Sequence, residues 1–222
     1  MSVTKAMIQT LFPNTSNIDN VVSIIDMYRN KFAINTNLRL AMFLAQVREE
    51  IGDNFKPLRE NLNYHEDVLP KLFKNFTPEL AEEYGRDEKD KANPVAIANI
   101  AYANKLGNGN ADSDNDGDLD ELDDGWKYRG AGILQITGKS NFYEVQKRIE
   151  KYAGKTNVSP DTLEGAILFG MAYWIQHDLY RLADRGTDLS VVDAITAKIN
   201  KYTTSYEKRR KHFLAIKHLV GV

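Results

Sequence analysis

The chain has 222 residues, 42% of them hydrophobic and 27% charged, with a net charge of −2. That length suits one domain with its own core, because chains usually divide only beyond roughly 250 residues. The near-neutral charge excludes a strong overall pull towards nucleic acid, and zero cysteines exclude disulfides, thiolate nucleophiles and cysteine-ligated zinc.

In chain order, Val21, Val22, Ile24, Ile25 and Phe32 recur at helical spacing over residues 17–33, behind Asn17 or Asp19 as a cap. A second helix is expected from Thr36 or Asn37 to about Ile51. Residues 78–84 read as a short helix with Pro78 in its first turn, and 94–105 as another. Three more are expected at about 160–178, 189–200 and 204–219. Only Ile133–Thr137, between Gly132 and Gly138, looks like a strand. The expected fold is mainly α, with a small extended element, and residues 1–222 are expected to form one catalytic domain carrying a loop insertion at about 109–124. The first residues lack a long apolar leader and a cleavage site, and no run approaches the roughly 20 apolar residues that span a bilayer, so a cytoplasmic product is expected.

The run Phe43-Leu44-Ala45-Gln46-Val47-Arg48-Glu49-Glu50 puts Glu50 three and seven residues after Val47 and Phe43, on their apolar helix face. Partial desolvation there raises a carboxyl's pKa and keeps a proton for a general acid. Glu60 follows in the polar run Arg59-Glu60-Asn61-Leu62-Asn63-Tyr64, where it can stay ionised and activate water. Two carboxylates in unlike settings are the working unit of glycoside hydrolysis. By pattern alone Glu49 fits the acid as well as Glu50, and a solvated role at a helix end fits either.

Residues 112–123, Asp-Ser-Asp-Asn-Asp-Gly-Asp-Leu-Asp-Glu-Leu-Asp, follow the spacing of an EF-hand loop. Asp112, Asp114, Asp116, Asp120 and Asp123 fall on liganding positions, Asp118 offers its carbonyl, and Gly117 takes the sharp turn. Hard oxygen donors select Ca2+, expected here as a structural ion with no organic cofactor; a solvated acidic loop is the alternative. Near the C-terminus, Lys198, Lys201, Lys208, Arg209, Arg210, Lys211 and Lys217 face a single acid, Glu207. They suit either an anionic envelope or membrane surface or a solvated helix face. No nucleic-acid-reading motif accompanies them. His65, His177, His212 and His218 lack the spacing of a zinc hydrolase.

Several short motifs occur in a fixed order: Phe43-Leu44-Ala45-Gln46, Glu60-Asn61-Leu62-Asn63-Tyr64, Ala96-Ile97-Ala98-Asn99, Tyr102-Ala103-Asn104, Gly107-Asn108-Gly109, the run Tyr128-Arg129-Gly130-Ala131-Gly132-Ile133-Leu134-Gln135-Ile136-Thr137-Gly138, Leu182-Ala183-Asp184, and Ile195-Thr196-Ala197-Lys198-Ile199-Asn200. Over about residues 40–210 the chain resembles glycoside hydrolase family 19, in its short-loop branch of chitinase-like phage and bacterial endolysins. The resemblance implies a lysozyme-like helical domain with Glu50 as general acid, Glu60 as base and Thr137 positioning the water. It also implies that Gln135, Asn141 and Asn200 line the sugar cleft, that Arg209 supports the acidic cluster, and that Tyr64 and Tyr128 face sugar. The family usually has His and Ser flanking the acid, where this chain has Glu49 and Ile51. Single displacement with inversion is implied, with carboxylates about 6.5–9.5 Å apart.

The expected function is therefore that of an endolysin, a muramidase-type enzyme cutting β-1,4 bonds of peptidoglycan for host lysis. It would act as a monomer and reach the wall after release through a holin-type pore. A chitinase, or a non-catalytic wall-binding module with a calcium-ordered loop, are the alternatives.

Overall fold

A computed structural model describes residues 2–56, 58–119 and 123–222. The chain is mainly α-helical and divides into two compact units. The first comprises Met1–Leu58, Gly132–Gln135 and Val145–Val222, and the second Arg59–Ala131 and Ile136–Glu144.

The first unit opens with α1 (Lys5–Leu11) and α2 (Ile18–Tyr28), then α3 (Asn37–Ile51). Helix α3 starts where Thr36 takes an extended conformation and its hydroxyl accepts from Arg39 N at 3.2 Å, a cap for one of the orphan amides. Residues 40–47 of α3 are all buried, so this helix is the centre of its unit. Helix α3 ends at Gly52, whose positive φ of 76° turns the chain away.

In the second unit a 3-10 turn at Glu66–Val68 leads into α4 (Leu69–Leu72), α5 (Pro78–Tyr84), α6 (Pro94–Tyr102) and α7 (Asp124–Lys127). Thr77 and Asn93 cap α5 and α6 through their side chains, and a proline opens both helices where a missing N–H costs nothing. A core of Leu62, Leu69, Phe76, Ile97 and Ile100 forms between these elements. Helix α7 lies directly on α6. A Cβ at Gly125 would fall 2.4 Å from Asn99 Cα, so only glycine permits the approach.

Residues of both units share α8 (Lys139–Ala153). The first unit then continues through α9 (Leu163–Gln176), capped by Thr162, and on through α10 (Leu179–Ala183), α11 (Leu189–Asn200) and α12 (Tyr206–Lys217). Trp174 of α9 is fully buried and meets Phe43 of α3 edge-on, ring centroids 5.6 Å apart. None of the described helices is long and apolar enough to cross a membrane.

The helices expected from sequence are present with ends moved by a few residues, while α1, α4, α7, α8 and α10 lie outside the expected segments. Ile133–Thr137 is a turn rather than a strand. Gly132 and Gln135 take φ of 74° and 48°, which coils the backbone. Ile136 alone of the segment pairs, in an isolated antiparallel bridge with Ala131. In the first unit, Ile133 N donates to Ala166 O of α9 at 3.3 Å, and the missing Cβ of Gly170 leaves room for the Ile133 side chain.

Candidate active site

Glu50 stands in the last turn of α3, its side chain 14% exposed. Helix α12 packs along α3 and brings Arg209 to it, with that guanidinium 2% exposed. Arg209 Nη2 donates to Glu50 Oε1 at 2.5 Å, Nη1 to Gln46 Oε1 at 2.9 Å, and Nε to Ser205 Oγ at 3.0 Å. Gln46, one helical turn before Glu50, is itself fully buried, and its Nε2 donates to Thr196 Oγ1 of α11 at 3.2 Å. Three helices thus fix the carboxylate, through a charge-assisted bond backed by neutral ones. The apolar face expected beneath Glu50 is present in buried Phe43 and Val47, but the group that meets the carboxylate is a cation.

Tyr173 of α9 also belongs to this region. Burial first, and then the negative charge of Glu50, push its phenol pKa up, and its hydroxyl donates to Lys198 O at 3.2 Å. His177 lies against its ring, centroids 4.1 Å apart, and burial pulls that imidazole's pKa down. No sequence motif pointed to Tyr173, which sits in a continuous apolar run. Glu49 turns to a different set of partners, His212 Nε2 at 3.1 Å and Lys208 Nζ at 3.7 Å.

Two other residues expected at the site, Asn200 and Gln135, also lie in the first unit. Asn200 ends α11 and is exposed. Gln135 Nε2 donates to Gly132 O at 3.0 Å and to Leu58 O at 3.3 Å, so its amide closes the turn it stands in. Of the basic residues, Arg209 is internal, Arg210 makes a two-pronged pair with Asp193, and Lys211 pairs with Glu207.

Glu60 belongs to the second unit and is held at both backbone and side chain. Its N–H donates to Gly130 O at 2.9 Å, while its carbonyl accepts from Arg129 Nε at 3.2 Å. Its Oε2 accepts from the Tyr102 hydroxyl at 2.7 Å and from Gly130 N at 3.4 Å. The Arg129 guanidinium carbon stands over the Trp126 ring, 3.3 Å from its centroid. Tyr64 packs edge-on to Phe73, and burial followed by the charge of Glu60 raises its phenol pKa. In the same unit Asn141 Nδ2 donates to Thr137 O at 2.7 Å, and Tyr128 meets Phe142 edge-on at 5.3 Å.

The acidic loop gathers Asp112, Asp114 and Asp116, whose carboxylate oxygens lie within 4.8 Å of one another. Gly117 makes the sharp turn with φ of 93°. Asp112 accepts from the amides of Asp116 and Gly117 at 3.1 and 3.2 Å, and Asp118 N donates to Asp116 Oδ1 at 2.9 Å. Asp120 lies outside the described residues. Asp123 is fully buried, accepting from Ser113 N, from Ser113 Oγ at 3.0 Å and from Asn99 Nδ2 at 3.2 Å. Its carboxylate therefore ties the end of the loop back to the start and to α6.

Anchored carboxylates in unlike surroundings, on a mainly helical chain, suit the class of glycoside hydrolases. No family model matches the chain. A protein of Haemophilus influenzae (strain ATCC 51907 / DSM 11121 / KW20 / Rd) described as a glycosyl hydrolase family 19 domain-containing protein is 31% identical over 222 residues. The match covers 97% of this chain and 96% of that relative. The chain belongs to glycosyl hydrolase family 19.

Proposed function

We propose that the protein hydrolyses β-1,4 glycosidic bonds of peptidoglycan as a muramidase-type endolysin for host lysis. The observation that carries the reading is the contrast between its two carboxylates. Glu50 meets a buried guanidinium, and Glu60 accepts from a hydroxyl and an amide. In the proposed mechanism Glu50 protonates the leaving oxygen, and Arg209 stabilises the carboxylate that this donation creates. Glu60 takes a proton from the attacking water, which Thr137 helps to place, and the anomeric centre inverts. Gln135, Asn141, Asn200, Tyr64 and Tyr128 are the proposed sugar contacts. Family membership supports the hydrolase chemistry, and the choice of peptidoglycan over chitin is ours.

Digestion of purified peptidoglycan, with mass spectrometry of borohydride-reduced products, tests this reading. Wild type should create new reduced muramic-acid ends, and Glu50→Gln and Glu60→Gln should not. Glu49→Gln should resemble wild type. Cleavage of chitin oligomers without new muramic ends would move the enzyme to the chitinases, and silence on both polymers would favour a wall-binding module.

We also propose Ca2+ at Asp112, Asp114 and Asp116. An ion about 2.4 Å from each oxygen can join oxygens up to about 4.8 Å apart, so the described carboxylates fit it. Bound there, it would neutralise mutual repulsion and stiffen the loop. Lys198, Lys201, Lys208 and Lys211 are exposed and are the part of the basic segment that an anionic wall polymer would meet.

A further inference from the structure

We infer that Tyr102 is the positioning residue of Glu60, holding Oε2 so that Oε1 is the oxygen offered to the attacking water. The inference rests on Glu60 acting as the base. Tyr102 is the last residue of α6, and its place there is fixed from several sides. Asn93 caps the start of the helix, Asn108 Nδ2 donates to Tyr102 O at 3.1 Å, and the ring packs edge-on against Phe73 at 6.2 Å. From that position its hydroxyl reaches Glu60 Oε2 at 2.7 Å, and Gly130 N approaches the same oxygen at 3.4 Å.

Two donors on one oxygen fix the plane of a carboxylate as well as its position. Glu60 is already pinned through its backbone by Gly130 and Arg129, so the side-chain torsions are the freedom that Tyr102 removes. A tyrosine suits this task because its donor sits at the end of a rigid ring, with few rotamers to lose. It also stays a donor. Burial, followed by the charge of Glu60, pushes the phenol pKa well above its ordinary value, so the hydroxyl keeps its proton throughout the working range. An acceptor beside Oε2 would instead repel the anion that a base must be.

A hydroxyl that merely satisfied a buried oxygen would affect stability alone, whereas a positioning hydroxyl affects the reaction. Removing a donor from a carboxylate favours its neutral form, so the acidic limb of the pH–kcat/KM profile should move upward. Loss of orientation should lower kcat with little change in KM.

The test measures pH profiles of wild type, Tyr102→Phe and Glu60→Gln on the same wall substrate, with thermal melts alongside. For Tyr102→Phe we expect kcat lowered by about 10- to 100-fold, KM within about twofold, and the acidic limb raised by about half to one pH unit. Replacing Tyr102 by 3-fluorotyrosine, a stronger donor of nearly the same shape, should move the limb the opposite way. This second variant keeps the test open if Tyr102→Phe does not fold. A wild-type kcat and limb in either variant, with or without a lower Tm, would overturn the inference. Retained activity in Glu60→Gln would overturn the assignment of the base itself, a separate failure seen in a separate protein.

Discussion

Replacing Arg209 by methionine should leave Glu50 without its charged partner. The guanidinium and the carboxylate are 2% and 14% exposed, so solvent screens the pair poorly. The substitution removes the bonds to Glu50, Gln46 and Ser205 together. Removing one partner of a buried pair costs about 3–5 kcal/mol, mainly because the other charge is left uncompensated. Glu50→Gln alone should cost less, about 1–3 kcal/mol, since Arg209 keeps its contacts to Gln46 and Ser205. In the double variant neither charge remains, so the sum of the single losses should exceed the measured loss by about 1–3 kcal/mol. Urea unfolding at pH 7, followed by far-ultraviolet circular dichroism, gives all three values. Additivity within about 0.5 kcal/mol would refute the argument that Arg209 and Glu50 act as a coupled pair.

Acid should weaken the first unit through Asp184. The Arg39 hydrogen bond holds its carboxyl pKa below the ordinary value, so the contribution is present at neutral pH and fades as pH falls through the folded-state pKa. Asp184 is 44% exposed, so Asp184→Asn should cost at most about 1 kcal/mol at pH 7 and flatten the acid limb of a stability–pH curve. Gly125→Ala should lose about 1–3 kcal/mol or more in thermal unfolding, because its methyl would collide with the backbone of α6. Ca2+ should raise Tm over chelator-treated protein, and Asp112→Asn with Asp114→Asn should abolish that difference; equal melts of wild type with and without Ca2+ would remove the ion from the loop.

What the sequence revealed follows how directly each feature is encoded. Thr36, Thr77 and Thr162 stand at helix starts where their hydroxyls accept orphan amides, and such caps are written in the local residue order. Helix α8 carries its core residues Phe142, Val145 and Ile149 at helical spacing, but they are few among lysines, arginines and glutamates. Ile133-Leu134-Gln135-Ile136-Thr137 has the composition of a strand, yet the left-handed Gln135 is set by side-chain bonds to Leu58 and Gly132. Arg209 reads as one of a basic cluster. Its position four residues before Phe213 and seven before Ile216 puts it on the buried face of α12, a signal that net charge obscures. Tyr102 and Tyr173 acquire their significance from partners 42 and 123 positions away, which no local pattern records.

The partners of the two carboxylates match the opposite charge changes proposed for them. A general acid becomes an anion as it donates, so a cation beside Glu50 stabilises the state that follows proton transfer. A general base becomes neutral as it accepts, and a cation at the accepting oxygen would resist that change. At Glu60 Oε2 the donors are a hydroxyl and a backbone amide, which orient the group at less electrostatic cost to its protonation. The nearby Arg129 guanidinium donates to the Glu60 carbonyl and to Trp126 O, so it anchors the backbone of the proposed base. The charge of each partner, more than its distance, is what would suit Glu50 to the proposed giving of a proton and Glu60 to the proposed taking of one.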